Sequence, residues 1–460
     1  MAKVNRRELQ FRQEHLNCVR HTTLDPYGPG VVRIHMIPPR TDTLDEPFLL
    51  LLNGAHLVPL NLSWAVLLSC FMDELEVFSG REISKADWAT LTDNAIKKAR
   101  RVYPFTSAAR LRDDLELMLR SLVSIARGGE AETEVALLSL GEYAPYMTAP
   151  HRMDLMVSAM TKNGAWHCNQ KCLHCYAAGQ PMGEMAELST EEWKTVLQKL
   201  RAANIPQVTF TGGEPTMRGD LAELVQAAEW FVTRLNTNGR LLTPQLCRDL
   251  YNASLDSVQV TLYAADADAH NALVGAPGFA DTVEGIRCAV EAGLIVSINT
   301  PLCSLNRDYA ETLRFAHSLG VRYATCSGLI PSGEALGDDS RATRLSGEEL
   351  TDILREASAA AAALGMELDF TSPGWLDEET LRSLGLHLIP SCGACLSNMA
   401  IAPDGAVVPC QSWLGGVTLG NILTDEWADI WDTETCRTIR EKSAKMEHIC
   451  QLHTGNKEVE

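Results

Sequence analysis

The sequence has no run of about 20 consecutive apolar residues, the length that a transmembrane helix needs. Its most apolar stretch starts near residue 47 and is interrupted by polar residues, a glycine and a proline, namely Asn53, Gly54, His56, Pro59 and Asn61. The chain begins M-A-K-V-N-R-R, which leads into no apolar segment of the kind that opens a secretory signal. We therefore expect a cytoplasmic protein without a membrane partner.

Basic residues are also scarce. Lys and Arg number 40 against 59 Asp and Glu, a formal net charge of −19, which argues against a nucleic-acid partner. The sequence shows no internal repeat, and its 460 residues predict two or three domains. Cysteine, in contrast, is plentiful: without a secretory signal, 14 cysteines fit a reducing compartment better than a disulfide framework.

Three of these cysteines, Cys168, Cys172 and Cys175, stand in the run W-H-C-N-Q-K-C-L-H-C-Y-A. Thiolates select zinc, copper(I) or iron–sulfur clusters. A fully ligated [4Fe–4S] cluster takes four cysteines, so three ligands leave one iron open to another molecule. Zinc is the alternative, although zinc sites usually show paired Cys-x2-Cys or a later pair of histidines. The triplet thus predicts a cluster with an open coordination position, as catalytic metal sites have.

A second motif follows about 40 residues later, where 207–215 read Q-V-T-F-T-G-G-E-P. This is a short strand-like run that ends in Gly212, Gly213, Glu214 and Pro215. Glycines after a strand allow a ligand to approach the backbone closely. The neighbouring carboxylate is suited to bind an ammonium group. The run therefore predicts a ligand-binding turn at the end of a strand.

Together, the triplet followed by the aromatic Tyr176 and the Gly-Gly-Glu-Pro turn resemble the radical S-adenosylmethionine (SAM) superfamily. The resemblance implies that the three cysteines hold a [4Fe–4S] cluster and that SAM chelates its fourth iron. Reductive cleavage of SAM would give a 5′-deoxyadenosyl radical, with the electron from a flavodoxin- or ferredoxin-type donor. The resemblance also implies that the Gly-Gly-Glu-Pro motif binds the SAM amino group. Thr261 opens the run Thr-Leu-Tyr, which stands where the family has a Ser-Leu-Asp-like triplet, and it is implied to contact SAM.

The hydrophobic pattern agrees with the fold of that family. Strand-like runs occur at 207–211, 231–237, 257–263, 294–300 and 321–326, and helix-like segments lie between them at 189–203, 219–229, 243–253, 280–292 and 307–319. Such alternation predicts βα units and a parallel sheet. With one more strand before the triplet, the expected fold is α/β, a partial (β/α)6 TIM-type barrel over residues 150–335.

The carboxy-terminal cysteines form a further pattern. Cys392-Gly-Ala-Cys395 precedes two apolar runs around Pro-Asp-Gly, and Cys410 follows, so a hairpin would bring Cys395 near Cys410. The spacing resembles the SPASM domain in its shorter "twitch" form, which implies one auxiliary [4Fe–4S] cluster in residues 386–460. We predict ligation by Cys392, Cys395, Cys410 and Cys450. A four-cysteine zinc site is the competing reading, and Cys436 or His453 are alternative ligands.

Residues 1–130 read as strands at 31–36, 47–52 and 55–60, then helices at about 62–78, 84–101 and 106–127. This order resembles a RiPP recognition element, a winged-helix-like α+β domain that binds the leader of a ribosomally made precursor peptide. A domain that only stabilises the barrel is the alternative. Residues 336–385 are predicted to be a helical linker.

The resulting hypothesis is a radical SAM enzyme that modifies a ribosomally made precursor peptide by cross-linking, epimerisation or related C–H chemistry. A radical SAM enzyme acting on a small molecule and a non-catalytic metal-binding scaffold remain as rivals.

Overall fold

The computed structural model describes residues 6–24, 32–39, 47–53, 56–78, 83–126, 129, 138, 140–386, 388–445 and 449–454. The chain divides into two compact units, Met1–Thr148 and Ala149–Glu460. Within the described residues no helix is long and apolar enough to cross a membrane. The finer division into four segments stays a prediction.

The first unit is a four-stranded antiparallel sheet with helices. Its strands lie in the order β1 (Arg20–Leu24), β2 (Val32–Ile37), β3 (Phe48–Leu52) and β4 (His56–Leu60), and its helices are α1 (Arg6–His15), α2 (Leu62–Glu76), α3 (Lys85–Val102), α4 (Ala108–Ala126) and α5 (Leu140–Tyr143). The predicted strands and helices from β2 to α4 are confirmed, whereas α1 and β1 were not expected. Gly54, between β3 and β4, lies outside the described residues.

Local chemistry sets where these helices begin. The Asn61 side chain accepts a hydrogen bond from the Trp64 amide at 2.9 Å, which caps α2. Ser84 and Asp87 form a reciprocal capping box at the start of α3. The apolar faces of these helices and of the sheet enclose one core that includes the fully buried Leu50 and Phe71.

The second unit is built on a ten-stranded sheet. Its strands are β5 (Arg152–Ser158), β8 (Gln207–Gly212), β9 (Val232–Thr237), β10 (Ser257–Thr261), β11 (Ile295–Pro301), β12 (Tyr323–Ser327), β13 (Glu367–Phe370), β14 (Asn398–Ile401), β15 (Ala406–Val408) and β16 (Gly420–Asn421). A separate small hairpin consists of β6 (Thr161–Lys162) and β7 (Ala165–Trp166). The order is β13-β12-β11-β10-β9-β8-β5-β14-β15-β16. Strands β5 and β8 to β12 run parallel, which confirms the partial barrel.

Helices join these strands. They are α6 (Thr190–Ala202), α7 (Leu221–Ala227), α8 (Pro244–Asn252), α9 (Ala267–Val274), α10 (Phe279–Glu291), α11 (Tyr309–Ser318), α12 (Asp338–Arg341), α13 (Gly347–Leu364), α14 (Glu378–Ser383), α15 (Trp427–Trp431), α16 (Glu434–Lys445) and α17 (Gln451–Thr454), with 3₁₀ turns at Ala144–Tyr146 in the first unit and, in the second, at Pro181–Glu184, Pro215–Met217 and Gly333–Leu336. Ser189 with Glu192 and Ser346 with Glu349 form capping boxes at the starts of α6 and α13.

The carboxy-terminal hairpin is continuous with the barrel. Strands β14 and β15 pair antiparallel around the Pro-Asp-Gly turn, as the sequence predicts, and β14 pairs parallel with β5, the first barrel strand. Gly405 in that turn has φ +88°, a conformation that glycine adopts at no steric cost. The segment that carries the later cysteines thereby extends the barrel sheet.

Candidate functional site

The loop that carries Cys168, Cys172 and Cys175 follows the β6–β7 hairpin and is fixed through its backbone. The amides of Lys171 and Leu173 donate to the carbonyls of Val274 and Leu273 at 3.0 and 2.9 Å. These acceptors lie in the last turn of α9, where helix carbonyls have no intrahelical partner. The helix-like segments predicted from the sequence do not include this region. It is a helix, and its end supports the thiol loop.

Two more segments hold the same loop. The Glu334 amide donates to the Cys175 carbonyl at 3.0 Å. The Arg240 guanidinium, just beyond β9, donates to the Asn169 carbonyl at 2.6 Å. The three thiols are thus placed at the carboxyl ends of the barrel strands, where sites in such folds lie.

The Gly-Gly-Glu-Pro turn lies opposite, at the end of β8. Gly212 has φ +133°, and a Cβ there would overlap the carbonyl oxygen of Ser158 at the end of β5. The Gly213 amide donates to that same carbonyl at 2.7 Å, and the Gly213 carbonyl lies 3.5 Å from the Sγ atom of Cys168. The glycines are therefore needed for the close approach of two strand ends.

Glu214 is buried and is surrounded by hydrogen-bond donors. The Thr216 amide at 3.1 Å and hydroxyl at 2.5 Å and the Thr237 hydroxyl at 2.6 Å donate to Oε1, and the Asn238 amide donates to Oε2 at 2.8 Å. Burial raises the pKa of Glu214, and these hydrogen bonds oppose the rise. The carboxylate is thus held in one orientation, as a binding group for an ammonium requires. Pro215 opens the short 3₁₀ turn after it.

A cavity of about 580 Å³ joins these motifs. It is lined by every predicted site residue except Pro215 and Cys395, that is by Cys168, Cys172, Cys175, Tyr176, Gly212, Gly213, Glu214, Thr261, Cys392, Cys410 and Cys450. Thr261 is the last residue of β10, and the Tyr176 hydroxyl lies 3.5 Å from Oε1 of Gln411, next to Cys410. One cavity therefore contacts both groups of thiols.

The later thiols occur as two neighbouring pairs. A hydrogen bond from the Cys450 thiol lowers the pKa of Cys392, and one from the Cys395 thiol lowers the pKa of Cys436. The Cys395 amide donates to the Pro409 carbonyl at 3.0 Å, which closes the hairpin beside Cys410.

Cys436 is one of the two alternative ligands of the auxiliary cluster. It is buried in α16, but its neighbour is a proposed ligand, Cys395. The Arg440 guanidinium lies 3.5 Å from its sulfur. The side chain of His453, the other alternative, lies outside the described residues.

The donor sets suit iron–sulfur clusters. Each proposed set consists of thiols, the ligands that such clusters prefer. In the described part of the chain no three His, Cys, Asp or Glu side chains converge on a single ion. A [4Fe–4S] cluster needs no such convergence, because each thiolate binds its own iron.

Deeper in the same cavity lie charged residues that the sequence reading did not select. Arg152 and Asp154 of β5 form an ion pair, with Nε and Oδ1 at 2.9 Å, and Arg234 of β9 lines the cavity with them. In V-T-R-L-N-T, the sequence of β9, the polar residues Arg234 and Asn236 stand at alternate positions and so share one face of the strand. The sequence of a single strand does not show which of its two faces points into the barrel.

Two segments of the chain match known families: residues 167–319 match the Radical SAM superfamily, and residues 392–452 match SPASM, an iron–sulfur cluster-binding domain. Both domains imply [4Fe–4S] clusters and SAM as cofactors. Among curated proteins, AdoMet-dependent heme synthases of Oleidesulfovibrio alaskensis and Nitratidesulfovibrio vulgaris are 28% identical over 311 residues and 29% over 306. Each alignment covers 62% of this chain and 78% of the relative.

Among solved structures, SuiB of Streptococcus suis bound to precursor peptide SuiA aligns with a TM-score of 0.60 at 14% identity, covering 89% of this chain and 93% of that chain. The structure of anSMEcpe with bound AdoMet aligns with a TM-score of 0.50 at 15% identity, over 64% and 83% of the two chains. At these identities the alignments show a shared fold.

Proposed function

We propose that this chain, a radical SAM enzyme with a SPASM iron–sulfur domain, modifies a ribosomally made precursor peptide. The observation that carries the proposal is that the fold shared with a peptide-bound protein includes the first unit. The second unit is roughly two thirds of the chain, so an alignment with peptide-bound SuiB over 89% of the chain extends into the first unit. A fold shared over both units with a peptide-bound protein supports a peptide substrate.

Within the described residues β1 is an edge strand of the first unit's sheet, and a peptide strand can add to such an edge. Arg33 of β2 donates its amide to the Asn53 side chain and accepts at its carbonyl from the Asn53 amide, at 2.8 and 3.0 Å, so Arg33 faces β3. Alternate residues of a strand face opposite neighbours, so Ile34 faces β1 and bonds with Thr22. The backbone of the next residue, Thr23, therefore points away from the sheet.

The opposite edge is less suited to this role. Pro59 in β4 has no amide hydrogen, and the Leu57 carbonyl already accepts from the Leu138 amide at 3.1 Å. We infer that the leader of the precursor adds along β1 by main-chain hydrogen bonds. If the leader binds at this edge, the first unit acts as a RiPP recognition element.

In the second unit the proposed roles follow the geometry. Cys168, Cys172 and Cys175 hold the first cluster, and Cys392, Cys395, Cys410 and Cys450 hold the auxiliary one. With one electron from the reduced cluster, SAM bound at this site would supply a carbon radical able to accept a hydrogen atom from the substrate. Glu214 would orient the SAM ammonium, and the cavity would hold the reacting groups together. We further propose a cytoplasmic enzyme supplied with electrons by a flavodoxin- or ferredoxin-type donor.

A second candidate is a small-molecule substrate. Its support is that the curated relatives are AdoMet-dependent heme synthases, which align over 62% of this chain. In that case turnover would not need the edge of β1.

Mass spectrometry of a candidate precursor, co-expressed with the enzyme, tests the proposal. A loss of two hydrogens indicates a cross-link, and deuterium uptake without other change indicates epimerisation. If the reconstituted enzyme forms 5′-deoxyadenosine with a porphyrin substrate and leaves every precursor unmodified, the second candidate is correct. If it forms none with dithionite and SAM while its clusters are intact, a metal-binding scaffold is the better description.

A further inference from the structure

Arg234 lies in the middle of β9 and lines the barrel cavity. The strand register places it beside Thr209 of β8, which in turn pairs with Asp154 of β5. Thr237, which is bonded to Glu214, comes three residues later on the same strand. Arg234 is thus about 10 Å deeper along the strand than the proposed SAM-binding carboxylate, at about 3.3 Å per residue.

The Arg234 guanidinium has no hydrogen-bond or ion-pair partner among the described residues. The carboxylate of Asp154 is paired with Arg152, so the anion that lies near Arg234 already has a partner. Burial and the Arg152 charge lower the pKa of Arg234 to about 10, and Asp154 opposes this. Arg234 therefore stays charged at neutral pH. A partly buried charge without an ion-pair partner destabilises the fold, unless a ligand supplies the counter-charge.

Two polar atoms near Arg234 also lack a protein partner. Oγ1 of Thr209 and Oδ1 of Asn236 are buried in the cavity wall and make no hydrogen bond within the described chain. Buried polar atoms in folded proteins nearly always have partners. A cation beside an unused hydroxyl is a suitable receptor for a carboxylate, because the guanidinium donates two parallel hydrogen bonds and the hydroxyl adds one.

We propose that Arg234 and Thr209 bind a carboxylate of the substrate. The inference rests on the proposed function in that it assigns the substrate to this cavity. The carboxylate has two possible sources, an acidic side chain of a peptide or an acid group of a small molecule, and both share this chemistry. SAM carries a carboxylate too, but the depth of Arg234 separates it from the SAM-binding turn.

The test uses the reconstituted holoenzyme with SAM and measures its melting temperature with and without added acids. The probes are glutarate, its neutral diamide glutaramide, and the blocked tripeptide acetyl-glycyl-glutamyl-glycinamide with its glutaminyl counterpart. Each pair differs in charge and hardly in size. The variant is Arg234→Met, and the control is Arg355→Met, which removes an exposed arginine of α13 that pairs with Asp352.

We expect the two acids, and not their amides, to raise the melting temperature of the wild type and of Arg355→Met in a concentration-dependent way. In Arg234→Met the affinity for the acids should fall about 10- to 100-fold. Without probe, this variant should melt higher than the wild type, because an unpaired charge has been removed. Its affinity for SAM should be unchanged.

The inference is overturned if the amides stabilise as well as the acids, or if Arg234→Met responds as the wild type does. It is also overturned if the probe-free variant melts lower, because the guanidinium then has a structural role, or if SAM affinity falls, because it then binds SAM. A response to glutarate without one to the glutamyl peptide keeps the carboxylate site and counts against a peptide substrate, so the two proposals fail separately.

Discussion

The hydroxyl of Thr237 donates a hydrogen bond to Oε1 of Glu214 at 2.6 Å and accepts one from the Gly239 amide at 3.0 Å. This contact links the end of β9 to the turn after β8. It also stabilises the ionised form of a carboxylate whose pKa is raised by burial.

Thr237→Val should therefore weaken SAM binding. The variant loses one donor to Glu214, which raises the pKa of that carboxyl further and leaves less of it ionised. We expect about a 10-fold loss in affinity, equivalent to about 1.4 kcal/mol. Affinity should fall on acidification in both proteins, and the fall should begin at higher pH in the variant. Equilibrium dialysis across pH measures this, with the exposed Thr195→Val of α6 as control. Equal pH profiles would contradict the role of Thr237.

Replacing Cys168 by Ala should abolish the first cluster. The remaining two thiols cannot hold three irons of a cubane. Iron content should fall by about half relative to the wild type, because a second cluster remains, and dithionite with SAM should give no 5′-deoxyadenosine. The control is Cys18→Ser, an exposed cysteine of the first unit. Full iron content in the alanine variant would count against ligation by Cys168.

The auxiliary cluster can be assigned by comparing Cys450→Ser with Cys436→Ser. Cys450 lines the cavity with Cys392 and Cys410, whereas Cys436 lies in the buried face of α16. We expect the Cys450 variant to lose about half of the iron and the Cys436 variant to keep it. Iron analysis with Mössbauer spectroscopy gives the answer, and the reverse result would make Cys436 the ligand.

Thr23→Pro should weaken leader binding. It removes the amide that points outward from β1 and leaves the bonds between β1 and β2 in place, since proline is tolerated on an edge strand. We expect about a 10-fold higher Kd for a fluorescent precursor peptide, measured by anisotropy. Thr23→Val keeps the amide and should bind as the wild type does. If both variants bind equally well, the peptide does not add at this edge.

Acid should destabilise the second unit partly through His270, which is buried on α9. Burial lowers its pKa from 6.5 to about 4, while its Nδ1 accepts from the Tyr263 amide at 3.3 Å. Between pH 6.5 and 4 the unfolded chain takes up a proton that the folded chain does not. Stability is therefore lost as pH falls through that window, by up to about 1.4 kcal/mol per pH unit.

His270→Phe removes this proton uptake. Its melting temperature, at matched iron content, should fall less between pH 7 and pH 5 than that of the wild type. His15→Phe changes an exposed histidine of α1 and should leave the pH dependence as it is. A steeper fall in His270→Phe would mean that the imidazole is protonated in the folded state.

The barrel could be predicted because each of its βα repeats has a recognisable local sequence pattern, with an apolar strand, a helix cap and an amphipathic helix. Helix α1 and strand β1 were not predicted from the sequence. The α1 sequence, R-R-E-L-Q-F-R-Q-E-H, has few apolar residues, and the β1 sequence, R-H-T-T-L, is short and polar. Helix α9 was not predicted because A-D-A-H-N-A-L-V has only two strongly apolar residues. Its contact with the loop of Cys168, Cys172 and Cys175 is a tertiary one, which the local sequence does not show.

The same distinction applies to the site. The thiols of Cys168, Cys172 and Cys175 fall within eight residues, so their spacing carries the chemistry. Arg234 and Asp154 come from strands 80 positions apart along the chain, and only the register of the sheet brings them to one cavity. The pairing of Cys395 with Cys436 likewise depends on how α16 packs on the hairpin.

The parallel pairing of β14 with β5 has a consequence for any shortened form of this chain. A protein ending before residue 386 would keep the barrel strands but leave one side of β5 without its neighbour. The residues Met153, Leu155, Met156 and Val157 of that strand are fully buried. An exposed apolar strand edge is a template for pairing between molecules, so the truncated chain would self-associate into aggregates. The iron–sulfur domain thus also keeps the barrel from joining with its own copies.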